Sequence, residues 1–272
     1  MTDNPTPADL VGHTIGPVQV AVTADGVAAY VTATSGDPAA WVDEAPPGYA
    51  SVLLFAVADG FLYDPRIIAY TATLMHVDQS FEYSTPIRAG TDQVVTGTIS
   101  KVRERGGSFF VTFEATAESR GEVTVRSVST FLLSNRAAER PPDEHTEPGV
   151  WEVARNERSG EALLRSASRS DLVRYAAATR DFNPLHWDHA SAVSAGMPGV
   201  VVHGLLMLGW MVQAALTYGR IRSVKVRFKS ALFPAEQAMV QATADGDTVR
   251  LFLDRDGETL VTGTATVMAE EA

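Results

Sequence analysis

"HGLLMLGWMVQAALTYG", residues 203–219, is apolar on nearly every side for sixteen residues and stops at a glycine. A helix apolar along one stripe lies on a surface, whereas one apolar all round must be enclosed. Gly219 stands where helices commonly end on a residue free of Cβ strain. The stretch therefore predicts a buried helix. After it come "SVKVRFKSALF", "AMVQATAD", "TVRLFLDRD" and "TLVTGTATVMA". These segments mostly alternate apolar with polar, are rich in β-branched residues and have "DG" turns between them, as antiparallel strands do. One enclosed helix followed by such a run predicts an α+β unit, with a curved antiparallel sheet wrapped around the helix.

The pattern occurs twice. Ahead of the helix stands "SDLVRYAAATRDFNPLHWDHASAV", with Ser170 and Asp171 as good N-cap types for a first helix. Residues 28–45, "AAYVTATSGDPAAWVDEA", repeat the Tyr-led, alanine-rich turn, the Asp-containing loop and the Trp. They too are followed by a Pro-Gly, an apolar helix ("YASVLLFAVADGF") and alternating strands. The spacing drifts by a residue, as in an old duplication. Between the copies lies a polar, proline-containing stretch, "SNRAAERPPDEHTEPGVWEVARNERSG". The expected organisation is an N-terminal half over 1–133, a linker over 134–160 and a C-terminal half over 161–272, two units side by side.

Composition excludes several classes of function. The 272 residues carry a net charge of −11, which argues against nucleic acid and anionic membrane surfaces as partners. With no cysteine there are no disulfides, thiolate nucleophiles or cysteine-bound metals. No uncharged apolar run reaches eighteen residues and the N-terminus has no secretory pattern, so a cytoplasmic protein is expected. No Gly-rich nucleotide motif is present, and no cofactor is expected.

The loop "RDFNPLHWD", residues 180–188, concentrates chemistry-bearing side chains. Pro184 disfavours a helical Asn183, so Asp181, Asn183 and His186 project from a bent loop. Singly, an Asx-turn or a satisfied histidine explains each of them. Together, D-x-N-P-[LIV]-H would arise by chance in roughly one chain of this length in three thousand, at about 5% usage per fixed position. The next helix opens near Gly204, where a ligand oxygen can approach an unpaired N–H. An acid–base pair beside an electrophilic amide is the minimum equipment for adding water to, or removing it from, a carbonyl-conjugated double bond. His203 reads as a cap or a supporting residue. His189 is given no role, and His13, His76 and His145 fall in no constellation. His186, Asp188 and His189 make a poor metal set on a loop, and no metal is expected.

The run "YAAATRDFNPLHWDHASA…HGLLMLG" resembles the hydratase-2 motif of the MaoC-like, (R)-specific enoyl-thioester hydratases and dehydratases, Y-A-x-x-[ST]-G-D-x-N-P-[LI]-H-x-D followed by H-G-[LM]. Asp181 and His186 are five apart, and 204 − 181 gives the family's 23 from Asp to Gly. The resemblance covers most of the second half strongly and the first half weakly. It implies a double hot dog: two curved antiparallel sheets, each around a long central helix, one chain imitating a homodimer. It also implies that Asp181 and His186 hold a water between them as acid and base, that Gly204 N–H binds the thioester oxygen, and that Asn183 supports the loop. Arg180 stands where the family usually has glycine. In the first half Asp37 is kept but Val42 lies five residues later, and Tyr49-Ala50 replaces the His-Gly pair, so that half reads as catalytically dead. Its remaining role is either to wall the acyl tunnel or to serve as dimer-mimicking scaffold.

Lys225, Arg227 and Lys229 alternate on one strand face of an otherwise acidic protein. They read either as contacts for coenzyme A or an acyl-carrier protein, or as a solvated face. The function expected is a lyase acting on trans-2-enoyl or (3R)-hydroxyacyl thioesters. The alternatives are a hot-dog thioesterase and a non-catalytic acyl-binding subunit of a heteromeric dehydratase. The partners expected are an acyl-thioester substrate, a second copy of the double hot dog and an acyl-carrier protein. The acyl group, the direction of reaction and the pathway are not encoded in these motifs.

Overall fold

The computed structural model describes residues 6–136, 157–159 and 162–268. The first half runs β1 (Thr14–Val22), α1 (Ala24–Ala33), α2 (Ala50–Leu62), α3 (Pro65–Ile68), β2 (Thr73–Tyr83), β3 (Thr91–Arg105), β4 (Ser108–Ser119) and β5 (Glu122–Ser134). The second runs β6 (Glu157–Ser159), β7 (Ala162–Arg165), α4 (Arg169–Thr179), α5 (His189–Ser194), α6 (Gly204–Ala215), β8 (Arg220–Phe228), β9 (Ala238–Asp245), β10 (Thr248–Arg255) and β11 (Glu258–Met268). The crossing expected over 134–160 falls mainly outside the described residues. At its near end Ser134 closes β5, and at its far end Glu157–Ser159 pairs with β7.

Every strand belongs to one sheet, ordered β1-β3-β4-β5-β2-β8-β11-β10-β9-β7-β6. Outward from the centre, β2-β5-β4-β3-β1 on one side matches β8-β11-β10-β9-β7 on the other, so the sequence duplication is a pseudo-twofold of structure. Its axis passes through the antiparallel pairing of β2 with β8, where Ser80 faces Lys225 and Phe81 faces Val224. The two expected sheets thus join edge to edge into one. That pairing satisfies backbone groups which an open edge would leave as a template for aggregation.

Each long helix lies on the concave face. α6 buries every residue from Leu205 to Ala215 except Gln213, and α2 buries Leu53, Leu54, Phe55, Val57, Ala58 and Phe61. Fully burying each large side chain contributes about 1.5–3 kcal/mol. Phe61 stacks on Phe113 with ring centroids 5.4 Å apart and tilts against Phe131 at 5.5 Å. Phe113 in turn covers Gly97, where a Cβ would lie 2.3 Å from the ring.

Two helix ends differ from expectation. α4 begins at Arg169 because Ser168 and Asp171 form a reciprocal capping box, which displaces the cap from Ser170 and Asp171. α6 ends at Ala215, and Leu216–Tyr218 tighten into a 3-10 turn before Gly219, whose φ is +138°. Among the described residues, no helix is long and apolar enough to cross a membrane.

Candidate active site

α4 terminates on Arg180, whose φ of 67° is left-handed and whose N–H donates to Ala176 O at 2.7 Å. A residue at this cap position favours glycine because it lacks a Cβ, which accounts for the glycine common in the family motif. The turn sends Asp181 inward, where only 7% of it is exposed. Asn183 N–H donates to Asp181 Oδ1 at 3.5 Å, and Asn183 Oδ1 accepts the Leu185 N–H at 3.2 Å, capping a 3-10 turn over Pro184–His186. Trp187 closes the loop by donating its indole N–H to Phe182 O at 3.0 Å.

His186 and His203 form the other wall. His186 Nδ1 lies 2.8 Å from Val201 O. A carbonyl can only accept, so Nδ1 carries the proton and Nε2 offers a lone pair. His203, fully buried ahead of α6, places Nε2 3.2 Å from the backbone carbonyl of Asp181 and so donates to it. Its ring stacks on His186 at 3.7 Å and touches Tyr175 at 4.9 Å. The tyrosine that opens the motif thereby props the histidine that fixes the Asp181 backbone.

Burial sets the protonation of the trio. Desolvation pushes the Asp181 carboxyl up to about 7, against the smaller opposing effect of the Asn183 N–H. Desolvation likewise pulls His186 down to about 4, against its bond to Val201, and holds His203 well below the ordinary imidazole range. At neutral pH both rings are uncharged, while Asp181 exchanges its proton readily.

Gly204 is the first residue of α6, where backbone N–H groups have no intrahelical acceptor. A Cβ there would lie 3.2 Å from the Phe228 ring, so glycine lets that ring close over the helix start. Asp181, His186 and Gly204 all line a cavity of about 140 Å³ shared with Phe131, Phe228 and Lys229. A larger cavity of about 600 Å³, walled by Asp59, Leu62, Tyr63, Thr71 and Ala195, also contains Asp181. Asp181 stands where the two meet.

The basic residues divide. Lys225 and Arg227 are exposed on the outer face of β8, and Arg227 is held by Asp78 through two bonds of 2.8 and 2.9 Å. Lys229, beyond the end of β8, is exposed at the rim of the smaller cavity. His76 lines that cavity as well, contrary to its expected isolation. The register of β2 slips at Val77, so His76 faces Phe131 whereas Asp78 faces Thr130. Such a bulge turns a side chain to the other face of a sheet. His76 stacks on Phe131 at 4.5 Å, its buried Nε2 has no hydrogen-bond partner among the described residues, and burial lowers its pKa to about 4. No sequence signal marks a bulge at a valine.

Asp181, His186 and His203 offer ligand atoms within 4.8 Å of one another. A metal needs lone pairs that converge on one point. The two imidazoles instead stack with planes 23° apart, and one nitrogen of each is engaged by a backbone carbonyl. The set suits a small hydrogen-bonded molecule better than an ion.

In the first half Asp37 caps a 3-10 turn over Pro38–Ala40 by accepting the Ala39 N–H at 3.0 Å. Asn183 has that same role in the second half. Asp37 is therefore the counterpart of Asn183, not of Asp181, and Ala40 takes the place of His186.

Comparison with known proteins agrees with this architecture. A MaoC-like domain model matches residues 152–268, and a model of the FAS1-like dehydratase domain region matches residues 9–128. The chain is 30% identical over 137 residues to a UPF0336 protein of Streptomyces griseus, of which it covers 90%. It is 25% identical over 214 residues to a probable enoyl-CoA hydratase 2 of Dictyostelium discoideum, 73% of this chain and 69% of that one. It is 26% identical over 191 residues to the peroxisomal hydratase-dehydrogenase-epimerase of Saccharomyces cerevisiae, 65% of this chain but 21% of that protein. In three dimensions it resembles HtdX of Mycobacterium tuberculosis, with a TM-score of 0.74 at 18% identity over 94% of this chain and 100% of that one. A second protein of that organism, described as having a double hotdog fold, gives 0.66 at 11% identity over 97% and 98%. The fold is the double hot dog, with a MaoC-like domain as its second half and a match to the FAS1-like dehydratase region in its first.

Proposed function

We propose that this protein is a hydro-lyase that adds water to trans-2-enoyl thioesters or removes it from (3R)-hydroxyacyl thioesters. The observation that carries the reading is the placement of Asp181 and His186 on one cavity whose wall also holds the start of α6 at Gly204. Asp181 and His186 offer polar atoms within 4.8 Å of each other, a span that a single water can bridge with two ordinary hydrogen bonds. The Gly204 N–H is the donor for the thioester oxygen as enolate charge develops. The pair needs one exchangeable proton. In hydration, one member accepts the proton that water loses on bonding to Cβ, and the other delivers its proton to Cα on the same face. Dehydration is the reverse. Such assistance contributes about 10²–10⁴-fold.

The cavities suggest how substrate threads through. The carbonyl belongs at Gly204 in the smaller cavity, and the thioester arm leaves past Lys229 at its rim. The acyl chain beyond Cβ then passes Asp181 into the larger cavity, walled by both halves of the chain. Purified protein mixed with trans-2-enoyl-CoA of graded chain length should bleach the conjugated-thioester absorbance and yield the (3R)-hydroxyacyl product, with Asp181→Asn and His186→Ala at least a hundredfold slower. Release of free thiol without hydration would make the protein a thioesterase instead, and neither product with any thioester would leave it a binding subunit.

A further inference from the structure

The larger cavity is not lined as a hydrocarbon tunnel would be. Its wall carries Asp59 near the end of α2, with Tyr63, Thr71 and Ser194 among the apolar groups. The Asp59 carboxylate is half-buried and makes no hydrogen bond or ion pair among the described residues. A charged group in that position costs free energy unless something pairs with it.

The pseudo-twofold sharpens this. Asp59 is the tenth residue of α2, and its counterpart, the tenth residue of α6, is Gln213. Gln213 is fully used: its Nε2 donates to Thr34 O at 2.8 Å and its Oε1 accepts from Arg165 at 3.0 Å. In the half without the acid–base pair, the same helix position therefore places an unspent carboxylate on the wall of the substrate cavity. Burial and the nearby Asp181 charge push Asp59 up to about 6, so at neutral pH it is mostly an anion and an acceptor.

We infer that Asp59 determines specificity, accepting a hydrogen bond from a hydroxyl group on the acyl chain beyond the reacting carbons. This rests on the proposed lyase reading and names its substrate class, hydroxylated acyl thioesters. A hydroxyl fits better than an ammonium. Arg180 is close enough to offset part of the Asp59 charge, and a second cation would meet its repulsion. A hydroxyl can also donate to Asp59 while accepting from the phenol of Tyr63, whose own titration feels the Asp59 charge.

The test compares pairs of thioesters of equal length, with and without a hydroxyl on the distal chain, in two assays. One is turnover of the enoyl-CoA forms, and the other is calorimetric binding of the unreactive saturated acyl-CoA forms. Wild type should favour the hydroxylated member about ten- to a hundredfold, the range for a hydrogen bond to a charged acceptor. Asp59→Leu should abolish or reverse the preference, and Asp59→Asn, the conservative variant, should keep part of it. Equal binding of both members by wild type, or an unchanged ratio in a folded Asp59→Leu protein, overturns the assignment. A binding preference lost in Asp59→Leu with no turnover anywhere would keep the Asp59 site while refuting the lyase reading.

Discussion

Replacing Asp181 by Asn should stabilise the folded protein, and by an amount that depends on pH. Burial raises the Asp181 carboxyl from 3.8 to about 7, so the folded chain resists an ionisation that the unfolded chain undergoes freely. The cost is absent below the unfolded value, grows as pH rises between the two values, and levels off above the folded one. At about 1.36 kcal/mol per unit, it amounts to roughly 1–2 kcal/mol near pH 5 and roughly 4 kcal/mol near pH 8. Asn is isosteric and can still accept the Asn183 N–H, so it removes the charge without opening a cavity. The stability advantage of Asp181→Asn should therefore widen by about 2–3 kcal/mol between those two conditions. Urea unfolding of both proteins at each pH measures it directly. A gap that stays constant, or narrows as pH rises, would show that Asp181 is not strained by burial. The ready proton exchange read from its raised pKa would then fail with it.

Two further outcomes follow from the same geometry. Arg180→Gly relieves a left-handed strain of about 1–2 kcal/mol and forfeits about 0.5–1 kcal/mol through a freer unfolded chain. It should raise stability slightly in thermal unfolding, and a lower Tm would mean that the arginine makes contacts worth more than its strain. Lys229→Ala should raise KM for CoA-borne substrates several-fold, with the difference shrinking in high salt, whereas Lys225→Ala on the outer face should leave KM unchanged. Equal effects of the two would place the carrier arm elsewhere.

Much of the fold could be read because its signals are local. β9, β10 and β11 occupy almost the segments that alternation and the "DG" turns marked, since a two-residue turn fixes where both strands end. α6 was visible for the same reason: nothing polar interrupts it but Gln213. The strands that open each half left little trace. β7 has four residues, and β1 is broken by Gly16-Pro17, with its register slipping between Ile15 and Val18. The candidate active-site loop was legible because Asp181, Asn183 and His186 lie within six residues. His76 and Asp59 were not. They reach the cavities through a bulge and through the docking of one half against the other, and neither is encoded in spacing along the chain.

The pairing of Asp59 with Gln213 also bears on why the halves differ. In a dimer of identical units one residue would occupy both tenth positions. A carboxylate at the Gln213 position would turn its oxygens toward the Thr34 carbonyl, placing acceptor against acceptor and losing the bond that ties α6 to the end of α1. An amide at the Asp59 position would remove an unpaired anion of the larger cavity's wall beside Asp181. A single chain escapes that constraint, because each position then answers to one environment. Ala40 stands where the second half has His186, while α2 presents a carboxylate that the equivalent position of α6 would not tolerate. On that view the missing histidine of the first half and the Asp59 carboxylate at the larger cavity follow from one asymmetry.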